Sequence, residues 1–295
     1  MHWKELMSLA LNEQQLKRFV NGKAKEFHIQ PQQMYALYGL EQLLIKINHS
    51  RFKDQFVLKG SYLLSAVYGL DNRSTRDLDT TIRGVTLNDD YVQELIDFLV
   101  APENDGQPIF EVRQIRTIRE QFDYDGYNIR LNFLNGKSRF PIEIDMTTGE
   151  TLLPLVEKQE IPLMFQEGTV NLASYPLEQI LADKLYTTLA YGQVDDTNTR
   201  VKDLYDLHFL TQINQTIDYE QVYTAIEKTK KQRKVFMPVS EYFEIVGRLE
   251  QSEFQQNQWE KYRANFVYAE DVSFSEVMAS VAKMTNDISL FEPRE

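Results

Sequence analysis

The sequence predicts an α+β fold: a mixed β-sheet core preceded by two or three N-terminal helices and followed by a helical C-terminal half. Three observations carry this. Apolar residues recur at helical spacing up to about His49, short apolar or alternating runs fill the stretch from Phe52 to Gly168, and helical spacing returns from Tyr175. A chain of 295 residues is long enough for one large or two modest domains with ample core. The expected division is 1–168 for the helices and sheet core and 169–295 for a helical C-terminal domain, with the boundary in the stretch that carries Pro154, Pro162 and Gly168.

Taken in order, the helices between Leu6 and His49 show a core stripe at Met34, Leu37, Leu40, Leu43 and Leu44. Phe56-Val57-Leu58-Lys59 reads as a short strand, Tyr62 to Tyr68 as a helix that stops at Gly69, and Leu78 to Ile82 as the next strand. Tyr127 to Phe133 alternates, Asn135-Gly136 supplies a turn, and Phe140 to Asp145 alternates again, which is a hairpin signal. Pro176 opens a helix running to Tyr186, and Arg200 to Leu210 is helical with Leu204, Leu207 and Phe209 facing inward. No internal repeat or low-complexity segment is present.

The chemistry concentrates at Lys59-Gly60-Ser61 and Arg76-Asp77-Leu78-Asp79. Side chains at i and i+2 of a strand share a face, so Asp77 and Asp79 project together and repel unless a cation sits between them. Oxygen-only ligands on a rigid strand suit Mg²⁺, which keeps its waters and takes one or two carboxylates plus substrate phosphate. Gly60 lets backbone approach phosphate oxygens, and Ser61 adds a hydroxyl where a helix begins. Together they read as a nucleoside triphosphate site. If Ile142 and Ile144 face the core, parity puts Asp145 and Glu143 on the other face, where Asp145 can meet the pair; the alternative is an Asp capping the Thr147-Thr148-Gly149 turn. Asp-x-Asp and Gly-Ser also arise by chance, but their order here is specific.

Strand, Gly-Ser, helix, loop and a strand with Asp-x-Asp resembles the opening of the nucleotidyltransferase fold that DNA polymerase beta shares. The chain is further similar to the AbiEii/AbiGii family of toxin nucleotidyltransferases from bacterial abortive-infection and toxin–antitoxin systems. The residues that carry this are Phe56 to Ser61, Tyr68-Gly69-Leu70, Asp77-Leu78-Asp79, Ile144-Asp145, the Glu178 to Lys184 helix and Arg200-x-x-Asp203-x-x-Asp206-Leu207. Lys202-Asp203-Leu204-Tyr205-Asp206 matches the family's fourth motif residue for residue, while the loop from Ser61 to Asp77 is longer than its consensus. The resemblance implies Mg²⁺-dependent transfer of a nucleoside monophosphate from a triphosphate, GTP for the prototype, to a hydroxyl such as the 3′ end of tRNA. It implies phage defence and a separately encoded antitoxin. Asp77 and Asp79 would hold both of two Mg²⁺ ions about 3.5–4 Å apart, with Asp145 on the one that activates the hydroxyl. Ser61 and Lys184 would bind the β- and γ-phosphates, Arg76 would contact phosphate or acceptor, and Asp203 would be essential, orienting Lys184 or the base.

Composition limits the alternatives. With no cysteine, disulfides and thiolate metal sites are excluded. No apolar run approaches the roughly 20 residues of a membrane span, and the start lacks a signal-peptide core, so the expected location is the cytoplasm. A net charge of −12 argues against a protein that coats a duplex. Two local clusters could dock RNA: the run Lys228, Lys230, Lys231, Arg233 and Lys234, and the sparser Arg113, Arg116 and Arg119. Each is otherwise a solvated face. The rival functions are a nucleotidyltransferase with a small-molecule acceptor, of the antibiotic-modifying type, and a non-catalytic nucleotide-binding regulator.

Overall fold

Pro31 sits in the first turn of a helix whose apolar residues occur on nearly every side, and such a helix must be buried on most of its faces. In the computed structural model this helix, α2 (Pro31–Asn48), follows α1 (Glu13–Glu26) and lies within the first of two compact units that divide between Ser174 and Tyr175. The structure describes residues 13–68, 75–102, 109–119, 125–149, 158–194, 200–213, 216–232 and 237–293. The expected helix start at Leu6, the stop at Gly69 with Leu70, the boundary residue Pro154, and Arg233 and Lys234 lie outside them.

The first unit is built on a seven-stranded mixed sheet in the order β3-β4-β5-β2-β1-β7-β6. Its strands are β1 (Phe56–Leu58), β2 (Asp77–Ile82), β3 (Phe110–Arg119), β4 (Asp125–Asn135), β5 (Ser138–Thr147), β6 (Lys158–Pro162) and β7 (Thr169–Ser174). Two helices interleave, α3 (Gly60–Tyr68) after β1 and α4 (Asp89–Val100) after β2. Asn88 caps α4 by accepting the Tyr91 backbone N–H at 2.9 Å. The hairpin read from Asn135-Gly136 is β4–β5, and Gly136 takes a φ of 57°, which explains a glycine there. β5 pairs in parallel with β2, and β7 in parallel with β1. Because β7 is in this sheet, it belongs to the first unit rather than to the region expected to start at residue 169.

The alternation seen in sequence becomes a two-sided sheet. Ile129, Leu131, Phe133, Ile142, Ile144 and Met146 are buried on the side where Tyr35 of α2 stacks on Phe140, ring centroids 3.9 Å apart. Asn128, Arg130, Glu143 and Asp145 occupy the other side. On α2, the fully buried Glu41 carboxylate accepts the backbone N–H groups of Met164 and Phe165, and burial pushes its pKa up to about 7.

The second unit is helical: α5 (Leu177–Val194), α6 (Val201–Gln212), α7 (Tyr219–Gln232), α8 (Tyr242–Gln251), α9 (Glu253–Asn265) and α10 (Phe274–Ser289). Leu204, Leu207 and Leu210 of α6 are buried, whereas Phe209 is half-buried beside Tyr205. Trp259 is fully buried and donates its indole N–H to the Val272 carbonyl at 3.0 Å. His208, half-buried, contacts the Ser280 hydroxyl at 2.8 Å, a structural role. Among the described residues no helix is long and apolar enough to cross a membrane.

Candidate active site

Parallel pairing of β2 with β5 sets Asp79 opposite Asp145 and Asp77 opposite Glu143. Residues directly opposite in neighbouring strands share a face, so this register is what gathers the carboxylates. One oxygen each from Asp77, Asp79 and Asp145 lies within 4.8 Å of the others. All donors are hard carboxylate oxygens without imidazole or thiolate, a set that suits Mg²⁺ or Mn²⁺ rather than zinc.

The cluster is electrostatically uncomfortable without a cation. Burial first, and the neighbouring Asp77 charge second, push the Asp79 pKa up to about 6, against the opposing influence of Lys59 and of the Ser61 backbone N–H that donates to it. Burial also raises Asp145, partly offset by hydrogen bonding from Asn128. An acid whose folded pKa lies above its unfolded value contributes stability at low pH and loses it as pH rises through the folded value. The metal-free protein is therefore expected to lose stability as pH rises through about 6. Glu41 adds a trend of the same sign. A cation response isolates the cluster: excess Mg²⁺ should raise the melting temperature by several degrees at pH 8 and by much less at pH 5, where protons compete. Fluorimetric melts at the two pH values check this, and equal shifts at both would contradict it.

Gly60 is required here for a reason more local than phosphate approach. Its φ is 70°, and a Cβ at this position would fall 1.8 Å from Asp79 Oδ2. The glycine at the start of α3 thus makes room for the carboxylate itself. Ser61 is buried in the first turn of α3. Arg76 is exposed at the entrance to β2, where its backbone carbonyl accepts the Glu143 N–H at 2.7 Å.

Three neighbours had no role assigned by sequence, Lys59 having been read only as part of the Lys59-Gly60-Ser61 stretch. Lys59 donates to the Thr147 hydroxyl at 2.9 Å and lowers the pKa of both Asp79 and Asp145. Asn128 donates to Asp145 Oδ1 at 2.7 Å and to Glu143 Oε2 at 2.8 Å. Thr75, buried, donates its hydroxyl to Asp77. A lone Lys, Asn or Thr in a strand or loop has no spacing signature, and only the register reveals these three. Glu143 pairs with Arg130, 3.2 Å distant, and its charge adds to the rise of Asp145.

In the second unit, Lys184 of α5 lies 2.7 Å from Asp203 and 2.6 Å from Asp206, both on α6, and Arg200 pairs with Asp203 at 2.9 Å. Burial pushes Asp203 up, but the charges and hydrogen bonds of Lys184 and Arg200 outweigh it and hold the carboxyl below its usual range. The half-buried Lys184 and the buried Asp203 and Asp206 thus form one group, whose charges balance once Arg200 is included.

The basic run behaves differently from expectation. Lys228, Lys230 and Lys231 are on α7, but Lys230 is buried at 5% exposure and paired with Glu227. It follows Val222 and Ile226 at four-residue steps along the buried stripe, so its ammonium is not offered to a nucleic-acid backbone. Lys228 is half-buried and Lys231 exposed.

Comparison with known proteins identifies the family of this chain. The profile of the nucleotidyl transferase AbiEii toxin family, a type IV toxin–antitoxin system, matches residues 42–280. No curated protein matches the sequence. Among solved structures, MenT4, a nucleotidyltransferase toxin from Mycobacterium tuberculosis H37Rv, is 16% identical with a TM-score of 0.53 over 96% of this chain and 100% of its own. JHP933 from Helicobacter pylori is 15% identical with a TM-score of 0.46 over 88% of this chain and 93% of its own. At these identities the structural likeness concerns the fold alone, and the family profile carries the assignment.

Proposed function

The chain belongs to the AbiEii family of nucleotidyl transferase toxins, whose substrate is a nucleoside triphosphate and whose type IV system implies an antitoxin, and from that premise we propose that Asp77, Asp79 and Asp145 form its transfer site. The reaction is transfer of a nucleoside monophosphate, from GTP in this reading, to the 3′ hydroxyl of an RNA such as tRNA, with release of pyrophosphate. The observation that carries it is the convergence of three carboxylates within 4.8 Å on adjacent strands beside a Gly-Ser helix start.

Mg²⁺ held by these carboxylates would neutralise phosphate charge and lower the pKa of the attacking hydroxyl. The residues themselves orient and exclude. Asp145 faces the incoming hydroxyl and is fixed in orientation by the Asn128 amide. Gly60 keeps the space beside Asp79 open to the carboxylate, and the Ser61 hydroxyl and Arg76 are assigned to the triphosphate. Lys184 is assigned to the β- and γ-phosphates, with Asp203 and Asp206 setting its position. Arrest of translation through the modified RNA would serve phage defence, with the antitoxin relieving it.

Incubation of the protein with each α-labelled triphosphate and total tRNA tests this. Mg²⁺-dependent label in tRNA, strongest with GTP, supports the reading; label in a small molecule, or triphosphate binding without turnover, overturns it.

A further inference from the structure

The strand order gives the carboxylate cluster two sides. Gly60 and Ser61 follow β1, on one flank of β2, while β5, β4 and β3 extend from the other. An in-line displacement holds the entering and leaving oxygens on opposite sides of the transferred phosphorus. With pyrophosphate assigned to the Gly60–Ser61 flank, the acceptor must arrive over β5, β4 and β3.

The register then names what it meets. Asp79 pairs with Asp145, Asp145 with Asn128, and Asn128 with Arg116, so these four residues form one cross-strand row. The Asn128 amide donates to Asp145 and Glu143, which shows that the row lies on the carboxylate face. Strands are about 4.8 Å apart, so the Arg116 backbone is about 10 Å from that of Asp145. This is within reach of the last few nucleotides of a strand ending at Asp145.

Two features of the row ask for a ligand. Asn128 is only 8% exposed and both its described hydrogen bonds are donated through Nδ2, leaving the buried Oδ1 acceptor with no donor. A buried polar atom of this kind ordinarily has a partner. A ribose hydroxyl can donate to it, whereas a phosphate cannot. Arg116 stands on the edge strand β3, where residues 113 to 117 are all exposed, and it makes no ion pair among the described residues.

We propose that the Asn128–Arg116 row is the docking track for the single-stranded 3′ end of the RNA acceptor. Asn128 Oδ1 accepts from a ribose hydroxyl of the terminal nucleotide, and Arg116 pairs with a phosphate upstream. The RNA 2′-hydroxyl supplies a donor that DNA lacks at that carbon. The inference rests on the reading of RNA as acceptor. It moves the recognition surface from α7 to the β3 edge.

The test compares wild type, Arg116→Glu and Lys231→Glu, using a fluorescent single-stranded RNA over a KCl series and labelled triphosphate transfer. Arg116→Glu should weaken RNA binding about tenfold or more and lower the slope of log affinity against log salt by about 0.7. Its melting temperature and triphosphate affinity should match wild type, and Lys231→Glu should bind RNA as wild type does. If wild type labels no RNA, the acceptor reading and this inference fall together. If wild type labels RNA and Arg116→Glu binds it with unchanged affinity and salt slope, this inference alone is overturned. An equal loss in Lys231→Glu, or an Arg116→Glu variant that keeps RNA affinity but escapes the antitoxin, overturns it as well.

Discussion

Replacing Asp77 or Asp79 with alanine is expected to lower nucleotide transfer by about a thousandfold and abolish growth inhibition, while the metal-free protein melts at or above the wild-type temperature. The first effect follows from losing a ligand to a cation whose charge stabilisation of a phosphoryl transition state is worth several kcal/mol, at about 1.4 kcal/mol per tenfold. The second follows from the electrostatics: burial and the adjacent Asp77 charge drive Asp79 up to about 6, so deleting one acid relieves repulsion in the folded state. A merely structural pair of aspartates would behave the opposite way, with stability and activity lost together. Thermal melts with EDTA, beside transfer assays in Mg²⁺, separate the two. Near wild-type transfer in either variant would show that the metal assignment is wrong.

Lys184→Ala should strongly destabilise the second unit. Asp203 and Asp206 are buried at 6% and 0% exposure, and removing the ammonium that bridges them takes a charge partner from two buried carboxylates. Breaking a buried pair in this way costs about 3–5 kcal/mol. Urea unfolding would measure it. The combined variant Lys184→Met, Asp203→Asn, Asp206→Asn removes all three charges and should recover much of that stability. It should not recover triphosphate affinity if the lysine also contacts phosphate, a contribution of about 1.5–3 kcal/mol. Calorimetric titration with GTP on the folded triple variant makes this comparison, and full affinity there would confine Lys184 to a structural role.

Much of the sheet was legible because the hairpin and the strand after the loop carry period-2 patterns bounded by turn residues, and the same parity argument put Asp145 on the face away from Ile142 and Ile144. What parity could not supply was the partner strand. That Asp145 lies opposite Asp79 depends on a parallel pairing between segments more than sixty residues apart, which no local pattern encodes. Lys59 was visible only as the residue before Gly60, and its place between Thr147 and the carboxylates is likewise a product of register. Within the expected RNA-docking run, Lys230 departs from expectation for a different reason. Charge was weighed without the helix period, although Val222, Ile226 and Lys230 already lie on one stripe.

Asp145→Asn offers the sharpest single measurement of the central claim, since it keeps the volume and hydrogen-bonding shape of the side chain while removing the charge that completes the site. Transfer of α-labelled GTP to tRNA should be followed for wild type and this variant across a Mg²⁺ titration, with melts to show that both are folded. The expected result is Mg²⁺-dependent transfer by wild type that EDTA abolishes, and a folded variant at least about a hundredfold slower at every Mg²⁺ concentration. Transfer by wild type without a divalent cation, or a variant that transfers at the wild-type rate, would contradict the assignment of Asp77, Asp79 and Asp145 as the catalytic centre.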